Sequence, residues 1–473
     1  MLRSTASGGV VQAVVHRSQS GRARANPLER VVVITTVFDR AAAAVAATLE
    51  PPHLSTAEAC RPVPCRIGLL GLGNVGSAFA RLVRDSAPRL SSHGFVPIVS
   101  SALVRSIGNR SRAPFAGIAT DDVDAFFAEP VDLLVEALGG VDAPYAFVRR
   151  ALDRGTPVVT ANKSLIAAHG EELARLARRR GTALRYEASC IAGVPFLGTF
   201  ERRPFASSVT WVTAILNGTS NSILTAMTSG ASFDAALADA QIRGFAEPDP
   251  SMDVSGRDAA EKLAILVRLF GRIAVSPCAL PTDGIGSVEP EDIAAAAAFG
   301  GAIRPIAHAS WNESTVSAFV APAFVSGTHP LSHVAGVTNG IVIGADRGVQ
   351  CYTGPGAGAE ITAATLLDDV AEMIGERRVR MPSADVVRPA ASIVRPGTPW
   401  FIRLAGAARD SDIADLLGSY AIWCTRLSRR GDRTYAVTCP ADHARVTAAV
   451  RALEAATGGQ AAVFAAVVEE AAC

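Results

Sequence analysis

The stretch 66–83 constrains the fold more than any other part of the chain. A short apolar run (66–70) leads into Gly71-Leu72-Gly73-Asn74-Val75-Gly76, and a helical pattern follows to about position 83. GxGxxG alone is a common string, but between a strand and a helix each glycine acquires a physical task. Gly71 permits a tight turn, Gly73 lets the backbone approach a pyrophosphate, and Gly76 lets strand and helix pack closely. Leu72, Asn74 and Val75 then lie at a helix N-terminus, whose unpaired N–H groups and partial positive charge suit phosphate.

Further strands are expected at 96–103, 133–137 and 158–160, with a helix at 143–153. Alternation of this kind means an α/β fold built on a doubly wound parallel sheet of Rossmann type. Such sheets place an acid about 20 residues beyond the last glycine when they hold NAD, where it meets the ribose 2′-hydroxyl. No Asp or Glu lies between Asp85 and Asp121; Ser100, Ser101, Arg105, Arg110 and Arg112 stand there instead. An arginine near the second strand accommodates a 2′-phosphate. NADP is therefore expected over NAD, with Arg105 at the cofactor.

Composition narrows the function class. The chain has 473 residues, 49% hydrophobic and 19% charged, which excludes a wholly disordered chain and leaves room for about three domains. A formal net charge of +1 gives no global field for nucleic acid or an anionic membrane, so the expected partner is a small molecule. Apolar segments are cut before the ~20 residues that span a bilayer. The eight cysteines contain no CxxC, so a reducing, cytoplasmic setting is expected. Of 45 basic residues only Lys163 and Lys262 are lysines. Arginine holds its proton too tightly to act as a general acid, which singles out both positions. Lys163 follows the strand 158–160, at the carboxyl edge of the sheet where open α/β proteins bind ligands.

Lys262 lies in an acid-rich segment. Residues 244–262 carry Glu247, Asp249, Asp253 and Asp258, with two prolines stiffening the turn before a helix expected at 255–270. Ser255 with Asp258 fits a capping box, and Asp258 with Lys262 an i,i+4 ion pair; either could be an ordinary surface feature. Helical geometry points elsewhere. At about 100° per residue, Asp258 and Lys262 fall within the stripe that also holds Ile265, Leu266 and Leu269, while Glu261 and Arg268 mark the opposite, solvent side. Inward charges are costly unless paired, so an inward Lys–Asp pair in a cleft is a site.

The rest of the chain organises around these segments. Residues 1–62 read as an N-terminal extension, whose first 28 residues have the acid-free, Arg-bearing composition of a transit peptide. Residues 63–190 form the nucleotide-binding domain, completed by 353–380, where the tight loop Gly-Pro-Gly-Ala-Gly (354–358) precedes a helix at 362–374. Residues 191–352 make a substrate and dimerisation domain of α+β type, and the proline-bearing stretch 381–399 reads as a linker. Residues 400–473 give strand, helix, strand, strand, helix, strand, a small α+β module.

With these residues collected, the chain resembles the monofunctional homoserine dehydrogenases. The motifs match in order: GLGNVG at 71–76, VEALGG at 135–140, TANKSLIA at 160–167, YEASCIAGVP at 186–195, ILNGTSN at 215–221, GFAEPDPSMDVSGRDAAEKLAIL at 244–266 and GPGAG at 354–358. The resemblance implies NAD(P)-linked interconversion of L-aspartate-4-semialdehyde and L-homoserine, on the way to threonine, methionine and isoleucine. It implies Lys262 as proton donor with Asp258 beside it, and Glu247, Asp253, Thr219, Gly218 and Lys163 at the substrate. Gly139, Gly358 and Lys163 would flank the cofactor. A structural sodium ion would use Glu187 and main-chain oxygens of Cys190, Ala192 and Val194, and the enzyme would be a homodimer or homotetramer. Phe245 stands where the family usually has tyrosine. The module at 400–473 is weakly similar to ACT regulatory domains but lacks the Pro-Gly at its first strand–helix turn. A silent NADP-binding regulator and another Rossmann amino-acid dehydrogenase are the competing readings.

Overall fold

β1 (Val63–Leu70) runs straight into the glycine turn and α1 (Asn74–Ser91), and the chain then returns as β2 (Phe95–Leu103). The computed structural model describes residues 62–467 apart from 92–93, 109–114, 195, 203–207, 314, 347, 357, 377–386 and 407–408. Residues 1–61 of the extension expected at 1–62, and the arginines at 110 and 112, lie outside the described residues.

The first sheet adds β3 (Ala119–Thr120), β4 (Leu133–Glu136), β5 (Val158–Thr160) and β6 (Leu184–Arg185). Its order is β3-β2-β1-β4-β5-β6 with every pair parallel. That is the doubly wound order of dinucleotide-binding sheets, with the crevice at the carboxyl ends of β1 and β4. α2 (Val123–Ala128), α3 (Asp142–Asp153) and α4 (Lys163–Arg179) make crossovers. Residues 67–70 of β1 and 133–136 of β4 are buried on both faces, which is why 67–70 and 133–135 read as continuous apolar runs rather than alternating ones.

After a short helix α5 (Leu197–Arg202), β7 (Val209–Ile215) opens a second, mixed sheet. Helices α6 (Gly218–Thr228), α7 (Phe233–Ile242), α8 (Ser251–Val254) and α9 (Arg257–Gly271) follow, then β8 (Ile273–Ala274) and α10 (Pro290–Ala298). The long strands β9 (Gly301–Trp311), β10 (Thr315–Ser326), β11 (Thr338–Ala345) and β12 (Gly348–Pro355) complete the domain. α11 (Ala359–Glu376) then returns to the first sheet, where Ala363, Leu366, Leu367 and Val370 share a core with Phe79 and Val83 of α1.

The described part of the stretch expected as a linker is tied down. β13 (Arg388–Pro389) pairs with β8, and β14 (Ser392–Val394) pairs with β10. The tail follows as β15 (Trp400–Ala405), α12 (Asp410–Ser419), β16 (Cys424–Arg430), β17 (Arg433–Thr438), α13 (His443–Thr457) and β18 (Ala461–Val467). Its strands run β18-β15-β17-β16, the order of a ferredoxin-like βαββαβ unit. The tail does not hang apart from the rest. β18 pairs with β10, so the second sheet continues through both, and Trp400 and Phe401 are 1% and 0% exposed within shared cores.

Candidate active site

The glycine turn behaves as its spacing requires. Gly71 holds φ at 99°, and a Cβ there would stand 2.8 Å from the Ala137 carbonyl oxygen. A Cβ on Gly76 would collide with the Gly71 carbonyl, so only glycine lets α1 start this close. Gly73 is exposed with open space beside it, the opening a pyrophosphate would use. These three positions fit a dinucleotide. Arg105 is exposed two residues past β2, and the carboxylate nearest in sequence, Asp121 after β3, accepts the Ile107 N–H at 3.3 Å.

From this turn a run of contacts leads across the sheet edge. The 137–140 loop lies against Gly71, and Asn162 binds that loop through its amide, donating to the Gly140 carbonyl at 2.8 Å. Gly139 is exposed on the loop. Asn162 is also the N-cap of α4, accepting from the Leu165 N–H at 3.0 Å, which places Lys163 in the first turn. Lys163 Nζ then reaches Asp258 Oδ1 at 3.0 Å.

α9 brings the second lysine to the same carboxylate. Gly256, with φ of 82°, is its N-cap, so the capping box read around Ser255 is not formed. Asp258 is 5% exposed and faces inward, its Oδ2 2.9 Å from Lys262 Nζ. Lys262 also donates to the Leu216 carbonyl at 2.8 Å. Asn217 donates to Asp258 at 2.8 Å and to Asp253 at 2.7 Å, fixing both acids. Burial alone would raise the Asp258 carboxyl; the two ammonium groups and the Asn217 amide more than offset it and hold it well below the carboxylate range. Asp253 is pushed up by burial and then by the Asp258 charge, against the Asn217 bond. The Lys163 ammonium is raised, chiefly by Asp258.

One sequence reading is corrected here. Glu261 and Arg268 are half-buried rather than on an open face: Glu261 accepts from the Ser164 hydroxyl at 2.8 Å, and Arg268 donates to the Ile166 carbonyl at 2.8 Å. α4 covers that side of α9, and this packing is what joins Lys163 to Asp258. A helical wheel for one helix carries no information about a second helix laid along its polar side.

The other expected residues fall around this centre. Thr219, 5% exposed, spends its hydroxyl on the Phe245 carbonyl at 2.6 Å and so anchors the GFAE turn. A Cβ on Gly218 would meet the Val337 carbonyl at 2.8 Å. Glu247 is exposed, with its carbonyl taking the Gln241 amide at 3.2 Å. Gly358 is exposed at the foot of α11 with φ of 125°. Glu187 uses its carboxylate on the N–H groups of Leu197 and Gly198, at 2.9 and 3.3 Å. Cys190 and Val194 are buried and Ala192 half-buried, the Cys190 thiol being pushed up to about 12 by burial. Sequence reasoning missed Asn217, the one side chain that binds both acids. Its place before Gly-Thr, as N-cap of α6, was the available signal.

The chain is similar to known proteins over the region that carries this geometry. Residues 71–187 match the family model for the homoserine dehydrogenase NAD-binding domain, and residues 195–371 match that for homoserine dehydrogenase. Homoserine dehydrogenase of Helicobacter pylori is 37% identical over 310 residues, covering 65% of this chain and 73% of the relative. That of Bacillus subtilis is 34% identical over 329 residues, covering 68% and 76%. A solved homoserine dehydrogenase from Thiobacillus denitrificans superposes with a TM-score of 0.77 at 29% identity, covering 85% of this chain and 98% of that one. Two family matches laid end to end over the nucleotide sheet and the lysine–aspartate centre, with relatives above 30% identity along most of their length, place this chain in the homoserine dehydrogenase family.

Proposed function

We propose that Lys262 is the proton donor of this oxidoreductase, acting on the aldehyde oxygen of aspartate semialdehyde as homoserine forms. The observation that carries this is the seating of its ammonium, fixed by Asp258 at 2.9 Å and the Leu216 carbonyl at 2.8 Å. An ammonium has three N–H groups, so two orient it and one is left to aim at substrate. A bound dihydronicotinamide supplies the hydride. The residues of this chain then hold the aldehyde and stabilise the alkoxide. Two ammonium groups stand beside the developing oxyanion, and Lys262 passes it a proton. A positioned acid contributes about 10²–10⁴-fold. Asp253 and Glu247 offer carboxylates to the substrate ammonium.

The test is NADPH absorbance decay on addition of aspartate semialdehyde. Lys262→Ala should lose at least about 10²-fold in kcat with cofactor affinity kept, and Lys262→Arg should fail as well, because guanidinium keeps its proton. Turnover near wild type in Lys262→Ala would refute the assignment.

NADP preference is part of the proposal, supported by Arg105 past β2 and by the absence of an acid between Asp85 and Asp121. Arg105→Glu should raise the KM for NADPH and leave that for NADH little changed; a wild-type enzyme favouring NADH would end this reading. A sodium ion is proposed at the 187–194 turn; among the described residues no three His, Cys, Asp or Glu side chains group to hold a metal, so main-chain oxygens would supply most of its ligands. The carboxylates of Glu187 and Glu372 both lie within 3.4 Å of a Cβ placed on Gly198, and burial with the Glu187 charge pushes the Asp369 carboxyl well up. Melting raised by sodium chloride over equimolar choline chloride would support it; identical melting would count against it. A homodimer or homotetramer is proposed from the exposed edge strand β12, where Val349 is 64% exposed, and light scattering decides it. A cytoplasmic site is proposed on the sparse cysteine content, eight in 473 residues with no CxxC; among the described residues no helix is long and apolar enough to cross a membrane.

A further inference from the structure

Glu136 closes β4 and is 0% exposed, yet its carboxylate touches neither lysine. What it does touch is two loops. One oxygen accepts the Leu138 N–H at 2.7 Å and, at 3.5 Å, the Asn162 amide. The other accepts the Thr160 hydroxyl, and the Thr160 oxygen in turn accepts the Asn162 N–H at 2.9 Å. The Glu136 carbonyl takes the Ala161 N–H at 3.1 Å. Its neighbours in the strand, Leu134 and Val135, are fully apolar, so the sheet itself has no need of an acid here.

We propose that Glu136 is a positioning residue that locks the 137–140 loop to the 160–162 segment, and so sets where Lys163 and the floor of the cofactor loop stand. This rests on the reading that Lys163 lies at the bound ligands. Donors from both segments converge on one carboxyl, and only an acid offers two acceptor oxygens with no donor to place. The 137–140 loop underlies Gly71, and Asn162 immediately precedes Lys163. Loss of the carboxyl would leave the Leu138 N–H and the Thr160 hydroxyl buried without their acceptor, and both loops would shift to find others. Burial pushes the Glu136 carboxyl up to about 7, and its three hydrogen bonds act against that rise.

The experiment uses the full chain and the variants Glu136→Leu, Glu136→Gln, Thr160→Val and Lys163→Ala. It measures KM for NADPH and for aspartate semialdehyde, kcat, and melting. Glu136→Leu and Thr160→Val should raise both KM values, by about tenfold for each buried hydrogen bond lost, with a smaller change in kcat. Glu136→Gln should restore values within about threefold, since its amide oxygen keeps one loop and the Thr160 hydroxyl can accept as well as donate. Combining Thr160→Val with Lys163→Ala should cost less than the product of the two, because both act through the same ammonium. A purely structural role would lower melting and active fraction and leave KM unmoved. Unchanged KM in Thr160→Val, or strict additivity with Lys163→Ala, overturns the proposal even if Glu136→Leu does not fold. Unchanged KM in Lys163→Ala itself overturns the placement of Lys163 at the ligands, and this inference with it.

Discussion

Asp258→Asn tests the centre most directly, because the carboxylate serves three donors with two oxygens. Oδ2 takes Lys262 at 2.9 Å and Asn217 at 2.8 Å, and Oδ1 takes Lys163 at 3.0 Å. Asparagine has one acceptor. If its oxygen keeps the Lys262 side, its NH₂ group faces the Lys163 ammonium, donor against donor. Turned the other way, it faces two donors at once. The first arrangement is cheaper, so Lys163 is displaced and Lys262 keeps a neutral partner in place of a charged one. A charge-assisted hydrogen bond contributes about 1.5–3 kcal/mol, and 1.36 kcal/mol is tenfold in rate, so kcat should fall about 10- to 100-fold. The retained bond from Lys262 to the Leu216 carbonyl keeps the loss below that of Lys262→Ala.

Stability should fall as well. Removing one partner of a buried pair costs about 3–5 kcal/mol, and because the Lys163 side chain is 35% exposed the lower end applies. Initial rates at 340 nm and thermal melting read both effects. Adding Lys163→Met to Asp258→Asn removes the donor–donor clash, so the double variant should lose less than the product of the singles. A single variant with kcat within about threefold of wild type would refute the orienting role. Strict additivity of the pair would refute the geometric account of the clash.

Three further outcomes follow from the same contacts. Gly76→Ala drives a methyl into the Gly71 carbonyl, so NADPH fluorescence titration should show cofactor affinity lost by at least about tenfold, with a lowered melting temperature. Deletion of 400–473 should give no soluble, folded enzyme: Trp400, Phe401, Tyr435 and Phe464, each contributing about 1.5–3 kcal/mol by burial, are together comparable with the whole net stability of a domain. A cooperative melt of the truncated chain would contradict this. Asp258 binds its proton less readily when folded, so its stabilisation is present above about pH 4 and is lost as pH falls through the lower folded value. Acid titration of Asp258→Asn by circular dichroism should therefore show a shallower acid limb than wild type.

The nucleotide sheet was legible because each of its strands is a local event. β1, β2, β4 and β5 are apolar runs bounded by turn residues, and the structure places them within a few residues of where the pattern puts them. The inward face of α9 was legible for the same reason, since periodicity alone sets Asp258 and Lys262 among leucines. What pattern could not supply was pairing over long separations. Lys163 and Asp258 meet because α4 lies along α9, and the sign of that packing was misread at Glu261 and Arg268. β14 and β18 both pair with β10, and nothing local in 392–394 or 461–467 names that partner. Asn217 was passed over because the acids its amide binds, Asp253 and Asp258, lie 36 and 41 residues away in sequence.

The choice of lysine at two positions in an arginine-rich chain now has a geometric reason at each. On the proposed mechanism the group at 262 spends two N–H groups on fixed acceptors, keeps one for substrate, and releases a proton; guanidinium does the first of these and cannot do the last. At 163 the group must share Asp258 with its neighbour. A guanidinium would pair bidentately with the carboxylate and compete for Oδ2, which Lys262 and Asn217 already occupy. A point charge takes Oδ1 alone and leaves the other oxygen in place. Lys163→Arg should therefore depress kcat even though its charge is preserved, by displacing Lys262 rather than by weakening ligand binding. A variant with normal kcat and only a raised KM would show instead that Asp258 has room for a fork, and that the two lysines act independently.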